Sequence, residues 1–158
     1  LIHGGGHERQ MRSGTLPTHQ IVGLGEASRI MLADMKLEGE RIRELRDRLL
    51  GFLGEIPGLV LHGDADRRIP GILNVGFPGL DGETLLIALN DIAVSTGSAC
   101  TSAAVEPSYV LRAMKVPVEI AHASIRFSIG RYTTMADIDY VGRRVKDVVE
   151  KLQHNILQ

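Results

Sequence analysis

Cys100 is the only cysteine of the chain. Around it runs Ser95-Thr96-Gly97-Ser98-Ala99-Cys100-Thr101-Ser102-Ala103-Ala104, in which every residue is small, hydroxylated or glycine. A structural cysteine packs as a small hydrophobe among larger apolar neighbours. Cys100 has almost no such neighbours, which predicts an accessible, mobile loop. Nucleophilic thiol chemistry needs thiolate character, access and freedom of approach. The residues leave two readings open, a reactive thiol and an inert loop cysteine. Metal binding is the weaker use, because no second cysteine exists and the nearest histidine downstream is His122.

Two further places carry groups suited to anions. Gly4-Gly5-Gly6-His7-Glu8-Arg9-Gln10-Met11-Arg12-Ser13-Gly14-Thr15 combines glycines, arginines and hydroxyls. Such a segment suits a phosphate or carboxylate, through backbone N–H groups and guanidinium forks, or is a solvated turn. It lacks the GK[ST] ending of a P-loop. Arg126 lies between Ile125 and Phe127 in an alternating segment. It either faces solvent or points into a cleft, where its planar fork receives a carboxylate. His19, His62 and His122 have no partner identifiable in the sequence.

These groups must be held by the elements between them. A helical apolar period runs from about 18 to 54, through Ile21, Leu24, Ile30, Leu45, Leu49 and Leu53. That length predicts a bend or break near 33 to 38. Strands are expected at 59–62, 72–77, 92–95 and 124–129, with short helices after Asp81, after Pro107 and near Glu119. Thr133-Thr134 opens a last amphipathic helix through Ile138, Val141, Val145 and Leu152. The order predicts an α/β fold with a small mixed sheet covered by helices.

At 158 residues the chain is long enough to bury roughly 70% of its unfolded surface. A net charge of -1 and 4% aromatic residues give no basic, base-stacking surface for nucleic acid. No apolar run reaches the ~20 residues of a membrane span. A single cysteine fits a reducing, cytoplasmic compartment. Leu1-Ile2-His3 opens without a start or cap signal, and the chain reads as a piece whose upstream sequence is missing.

Four motifs together resemble the IscS/NifS-type cysteine desulfurases, pyridoxal-phosphate enzymes of the class V aminotransferase kind. They are Gly4 to Arg9 with Met11 to Thr15; Gly97 to Ser102; Glu106-Pro107-Ser108-Tyr109-Val110-Leu111-Arg112-Ala113; and Ser124 to Ser128 with Gly130-Arg131. They occur in the family's order and spacing over nearly the whole chain. Gln10 departs from the family's usual glycine, and Thr96 from a serine.

The resemblance implies the small C-terminal domain of a fold-type I enzyme over 37–158, preceded over 1–36 by the end of the large domain and a linking helix. It implies that pyridoxal 5'-phosphate acts as electron sink on L-cysteine. Cys100 then takes the substrate sulfur as a persulfide, leaving alanine. Arg126 would bind the substrate carboxylate, and Thr15 the cofactor phosphate of the neighbouring subunit in a homodimer. Sulfur would pass to an iron–sulfur scaffold or to tRNA thiolation. The Schiff-base lysine is expected outside this chain, since Lys36, Lys115, Lys146 and Lys151 all lack the family's Ser-x-His context. The segment alone is therefore expected to be inactive. A non-catalytic sulfur carrier that keeps the fold is the alternative, and a redox-sensing thiol a third.

Overall fold

The computed structural model of the chain describes residues 2–96 and 107–156. Packing divides the chain into two units, Leu1–Leu37 and Glu38–Gln158.

Helix α1 (Thr18–Leu53) has 36 residues and no break. The break expected as one possibility near 33 to 38 does not occur. Met31, Leu32, Ala33, Met35, Lys36 and Leu37 are strong helix formers, and no proline interrupts them. In the first unit this helix buries little of its apolar surface: Val22, Leu24, Leu32 and Leu37 are each more than two-thirds exposed. Before it, residues 2–17 form a loop with a 3-10 turn at Glu8–Gln10 and a parallel bridge between Ile2 and Arg12.

The second unit holds β1 (Val60–Leu61), β2 (Ile72–Gly76), α2 (Gly82–Ala88), β3 (Ser95–Thr96), α3 (Tyr109–Ala113), α4 (Val118–His122), β4 (Ser124–Ser128) and α5 (Met135–Ile156). The sheet order is β1-β2-β4-β3. The α/β class is as the pattern predicts, but the sheet differs in one respect. Every adjacent pair is antiparallel, whereas a mixed sheet is expected from sequence. The β2–α2–β3 connection does make β2 and β3 run the same way, as a crossover should. The last strand, β4, then inserts between them and pairs antiparallel with both.

One sheet face is apolar and packed. Leu73, Val75, Ile125 and Phe127 meet Leu45, Leu49 and Leu53 of α1, Leu85 of α2, and Ile138, Val145 and Val149 of α5 in one buried cluster. Period-two alternation in the strands and a three-to-four spacing in the helices produce these matching stripes. Gly142 allows α5 to close on the end of α1, since a Cβ there would fall 2.5 Å from the Phe52 ring. Helix starts are capped. Asp81 Oδ2 accepts from Thr84 N at 2.7 Å. Thr134 N donates to Asp137 Oδ2 at 2.8 Å while Asp137 N donates to Thr134 Oγ1 at 3.2 Å, a reciprocal capping box.

The strand expected at 92–95 forms later, at Ser95–Thr96. Ile92 N is taken by Leu89 O at 2.9 Å, closing α2. Ile92 and Val94 pack on the core from the linking segment instead.

Candidate functional site

The other face of the sheet is polar. The side chains of Asn74, Arg126 and Ser95 stand in one row, because Asn74 pairs with Arg126 across β2 and β4, and Ser95 pairs with Arg126 across β3 and β4. His62 N donates to Asn74 O at 3.0 Å, which extends the same row beyond β1. The sequence places His62 there by a tight turn. Asp64 Oδ1 accepts from Asp66 N at 2.9 Å and Arg67 N at 2.8 Å, and Arg68 Nη2 donates to His62 O at 3.1 Å.

His62 is buried and its Nε2 lies 2.9 Å from Ser124 Oγ. Ser124 Oγ itself donates to Ile120 O at 2.7 Å. The serine proton is therefore committed, and the network assigns the imidazole proton to Nε2. Burial holds the His62 pKa below the usual histidine range, so the ring is neutral. Ser124 has no exposed surface. The pair is consequently a structural clasp, not a nucleophile and its base.

Arg126 is the exposed charged member of the row. Its side chain is exposed, and its one side-chain hydrogen bond among the described residues is a long one, Nη2 to Ser95 Oγ at 3.5 Å. It has no carboxylate partner among the described residues. Arg48, Arg131 and Arg144 are instead bound to Asp139, Glu38 and Asp91. Arg41 is spent on the carbonyls of Arg131 and Thr133. Beside Arg126, the Asn74 Oδ1 is buried and makes no hydrogen bond. An orphaned buried carbonyl of this kind costs about 1–3 kcal/mol. Arg126, Asn74 and His62 share the lining of a cavity of about 350 Å³, walled by Tyr109 and Met114 at the two ends of α3. A free guanidinium on a cleft wall is a receptor for a carboxylate.

The Gly4–Thr15 loop belongs to the first unit. Many of its expected free N–H groups are used internally: His7, Gln10, Met11 and Ser13 donate to Gly5, His7, Glu8 and Ile2 carbonyls. Arg12 Nη1 also turns inward, to the carbonyls of Ser13, Gly14 and Thr15 at 3.0, 2.8 and 3.2 Å. Thr15 remains exposed, with its hydroxyl unbonded among the described residues. Glu8, Arg9 and Gln10 have φ of 50, 54 and 64°, three successive left-handed residues. At Gln10 the resemblance expects glycine, the residue that adopts this conformation without steric cost.

Cys100 lies outside the described residues. Lys146 is bound to Glu55, and Lys115 sits at φ 59° just beyond the end of α3. No cluster of three or more metal-ligating side chains occurs among the described residues. Sequence reasoning missed Asn74 and the partner of His62. The signal for Asn74 was a polar residue in the alternating run Ile72-Leu73-Asn74-Val75, and for His62 it was Gly76, the register partner of Ser124 that leaves room for the ring.

Helices α1, α2 and α5 on one sheet face, and on the other a polar row beneath α3 and α4 whose arginine has no carboxylate partner among the described residues, define a small α/β domain with a cleft. The aminotransferase class-V family model matches residues 4–141, and the chain belongs to that family. It is 56% identical over 152 residues to the cysteine desulfurase IscS of Aeromonas hydrophila, covering 96% of this chain and 38% of that protein. Against the cysteine desulfurase IscS of Ruthia magnifica the identity is 58%, with 96% and 38% covered. The chain thus spans 38% of the length of these curated relatives. Among solved structures, the NifS-like protein from Rickettsia africae superposes with a TM-score of 0.81 at 28% identity, covering 95% of this chain and 39% of that one. A second NifS-like protein gives 0.79 at 33% identity, covering 98% and 38%. No helix among the described residues is long and apolar enough to cross a membrane.

Proposed function

We propose that this chain is the sulfur-accepting portion of a pyridoxal-phosphate-dependent cysteine desulfurase, with residues 37–158 its small domain and 1–36 the end of its large domain. The observation that carries the reading is Arg126 on the cleft wall with no carboxylate partner among the described residues, one strand from β3, which precedes Cys100 in the chain. Arg126 receives the carboxylate of L-cysteine. Cys100 follows Thr96 of β3 by four residues in the sequence. Ser95, the residue before Thr96, is the register partner of Arg126.

The Cys100 thiolate attacks the substrate sulfur. A sulfur–sulfur bond forms as the carbon–sulfur bond breaks, and the electron pair passes to the β-carbon. A proton added there completes L-alanine, and Cys100 is left as a persulfide. Bound pyridoxal phosphate supplies the electron sink for this departure. The donors present fit one end of that group only. The free hydroxyl of Thr15 suits the phosphate, and no lysine of this chain stands in a setting suited to the aldehyde. We assign Thr15 to the phosphate site of a neighbouring subunit in a homodimer. The sulfur would go to an iron–sulfur scaffold or to tRNA thiolation in the cytoplasm.

The test uses the complete polypeptide containing this chain, supplied with L-cysteine and a thiol reductant. Equal amounts of sulfide and alanine are expected, with a Cys100 adduct heavier by one sulfur atom in the absence of reductant. Cysteine-dependent sulfur transfer that survives Cys100→Ser refutes the assignment.

A further inference from the structure

We propose that Asn74 is a second receptor for the substrate carboxylate and so helps to fix the orientation of the amino acid. This rests on the reading of Arg126 given above.

Asn74 and Arg126 are register partners on adjacent antiparallel strands, with side chains on the same face. Directly opposed Cβ atoms in such a pair are about 4.5–5.5 Å apart. One carboxylate can therefore reach both side chains. A carboxylate has about four lone-pair positions, of which a bidentate guanidinium uses two. The remaining positions need donors in a cleft where water is partly excluded.

The Asn74 amide is placed to supply one. Its oxygen is turned inward, with no exposed surface and no partner. The amide nitrogen is not among the buried polar atoms lacking a partner, and makes no side-chain bond among the described residues. It is thus left to the cavity that Asn74 and Arg126 both line. A residue present for packing would be apolar at this position. An amide that leaves its own oxygen unsatisfied makes sense where its NH₂ has a ligand. Ser95, on the other side of Arg126, bonds its own hydroxyl to Thr96 O at 3.0 Å and is the poorer second donor.

The test compares Asn74→Leu, Asn74→Asp and Arg126→Ala in the complete polypeptide, measuring KM and kcat for L-cysteine and the thermal midpoint. Asn74→Leu keeps the volume and removes the donor. Its KM should rise about tenfold, with kcat within about threefold and the midpoint equal or higher. Asn74→Asp puts a negative charge beside Arg126, and its KM should rise further. An unchanged KM in both Asn74 variants, with a raised KM in Arg126→Ala, overturns the Asn74 assignment alone. An unchanged KM in Arg126→Ala overturns the reading of Arg126 beneath it. A lowered midpoint with kcat and KM altered together in both Asn74 variants assigns Asn74 to the fold and also overturns the proposal.

Discussion

His62 and Ser124 reach one another across a residue with no side chain. Their 2.9 Å contact passes over Gly76, where a Cβ would lie 2.9 Å from His62 Nε2 and 2.5 Å from Ile120 Cγ2. The clasp ties the end of β1 to β4 and to the carbonyl of Ile120 in α4, and so shapes the cavity behind Asn74 and Arg126.

Gly76→Ala should therefore force His62 and Ile120 apart. Overpacking of this kind costs about 1–3 kcal/mol. Chemical denaturation should show a lowered midpoint with an unchanged slope. A variant as stable as the parent would show that the ring and Ile120 can shift freely.

The same clasp gives stability a pH dependence. His62 is neutral in the fold because burial lowers its pKa, whereas the unfolded chain takes up a proton near about 6.5. Below that pH the unfolded state binds more protons, so stability falls as pH drops toward the folded pKa. His62→Gln should flatten this part of the profile, followed by thermal midpoint against pH. A second, lower window belongs to Asp91, held down to about 2 by the Arg144 guanidinium and then the Tyr140 hydroxyl. Its contribution is present above about pH 4 and is lost as pH falls toward the folded value. Asp91→Asn should remove that lower slope.

Arg126→Lys is not a conservative change at the carboxylate site proposed for it. Charge-assisted hydrogen bonds contribute about 1.5–3 kcal/mol, so kcat/KM for L-cysteine should fall roughly 10- to 150-fold. The loss should fall mainly on KM. Because Arg126 has no carboxylate partner among the described residues, the thermal midpoint should stay within about 2 °C.

Thr134→Ala removes the start of the α5 capping box. The cost should be about 1 kcal/mol, read from urea denaturation. Activity should not change, because Thr134 lines no part of the Arg126 cavity.

Gln10→Gly should relieve one of three consecutive left-handed residues in the loop that also carries Thr15. The expected gain is about 1 kcal/mol. Cofactor affinity of the complete polypeptide should be equal or higher, measured by equilibrium dialysis of pyridoxal phosphate.

Local patterns made much of this protein legible from its sequence. Alternation in Ser124-Ile125-Arg126-Phe127-Ser128 put Arg126 on the face opposite the core, and β4 confirms that face. The four-residue spacing of Leu45, Leu49 and Leu53 likewise named the buried stripe of α1. Composition drew attention to Cys100, which lies outside the described residues. Its role still rests on the sequence and on kinship with the class-V family.

What the tertiary structure decided are the relations between strands distant in the chain. Whether Arg126 met a carboxylate, water or a cleft depended on which residues β2 and β3 brought beside it. No local period contains that pairing, because register is a property of two segments at once. The same holds for β4 between β2 and β3, and for His62 against Ser124 over Gly76. Side-chain type and spacing thus determined which groups could do chemistry. Only the pairing of the strands determined that Asn74, Arg126 and Ser95 would share one row, with no carboxylate beside the arginine among the described residues.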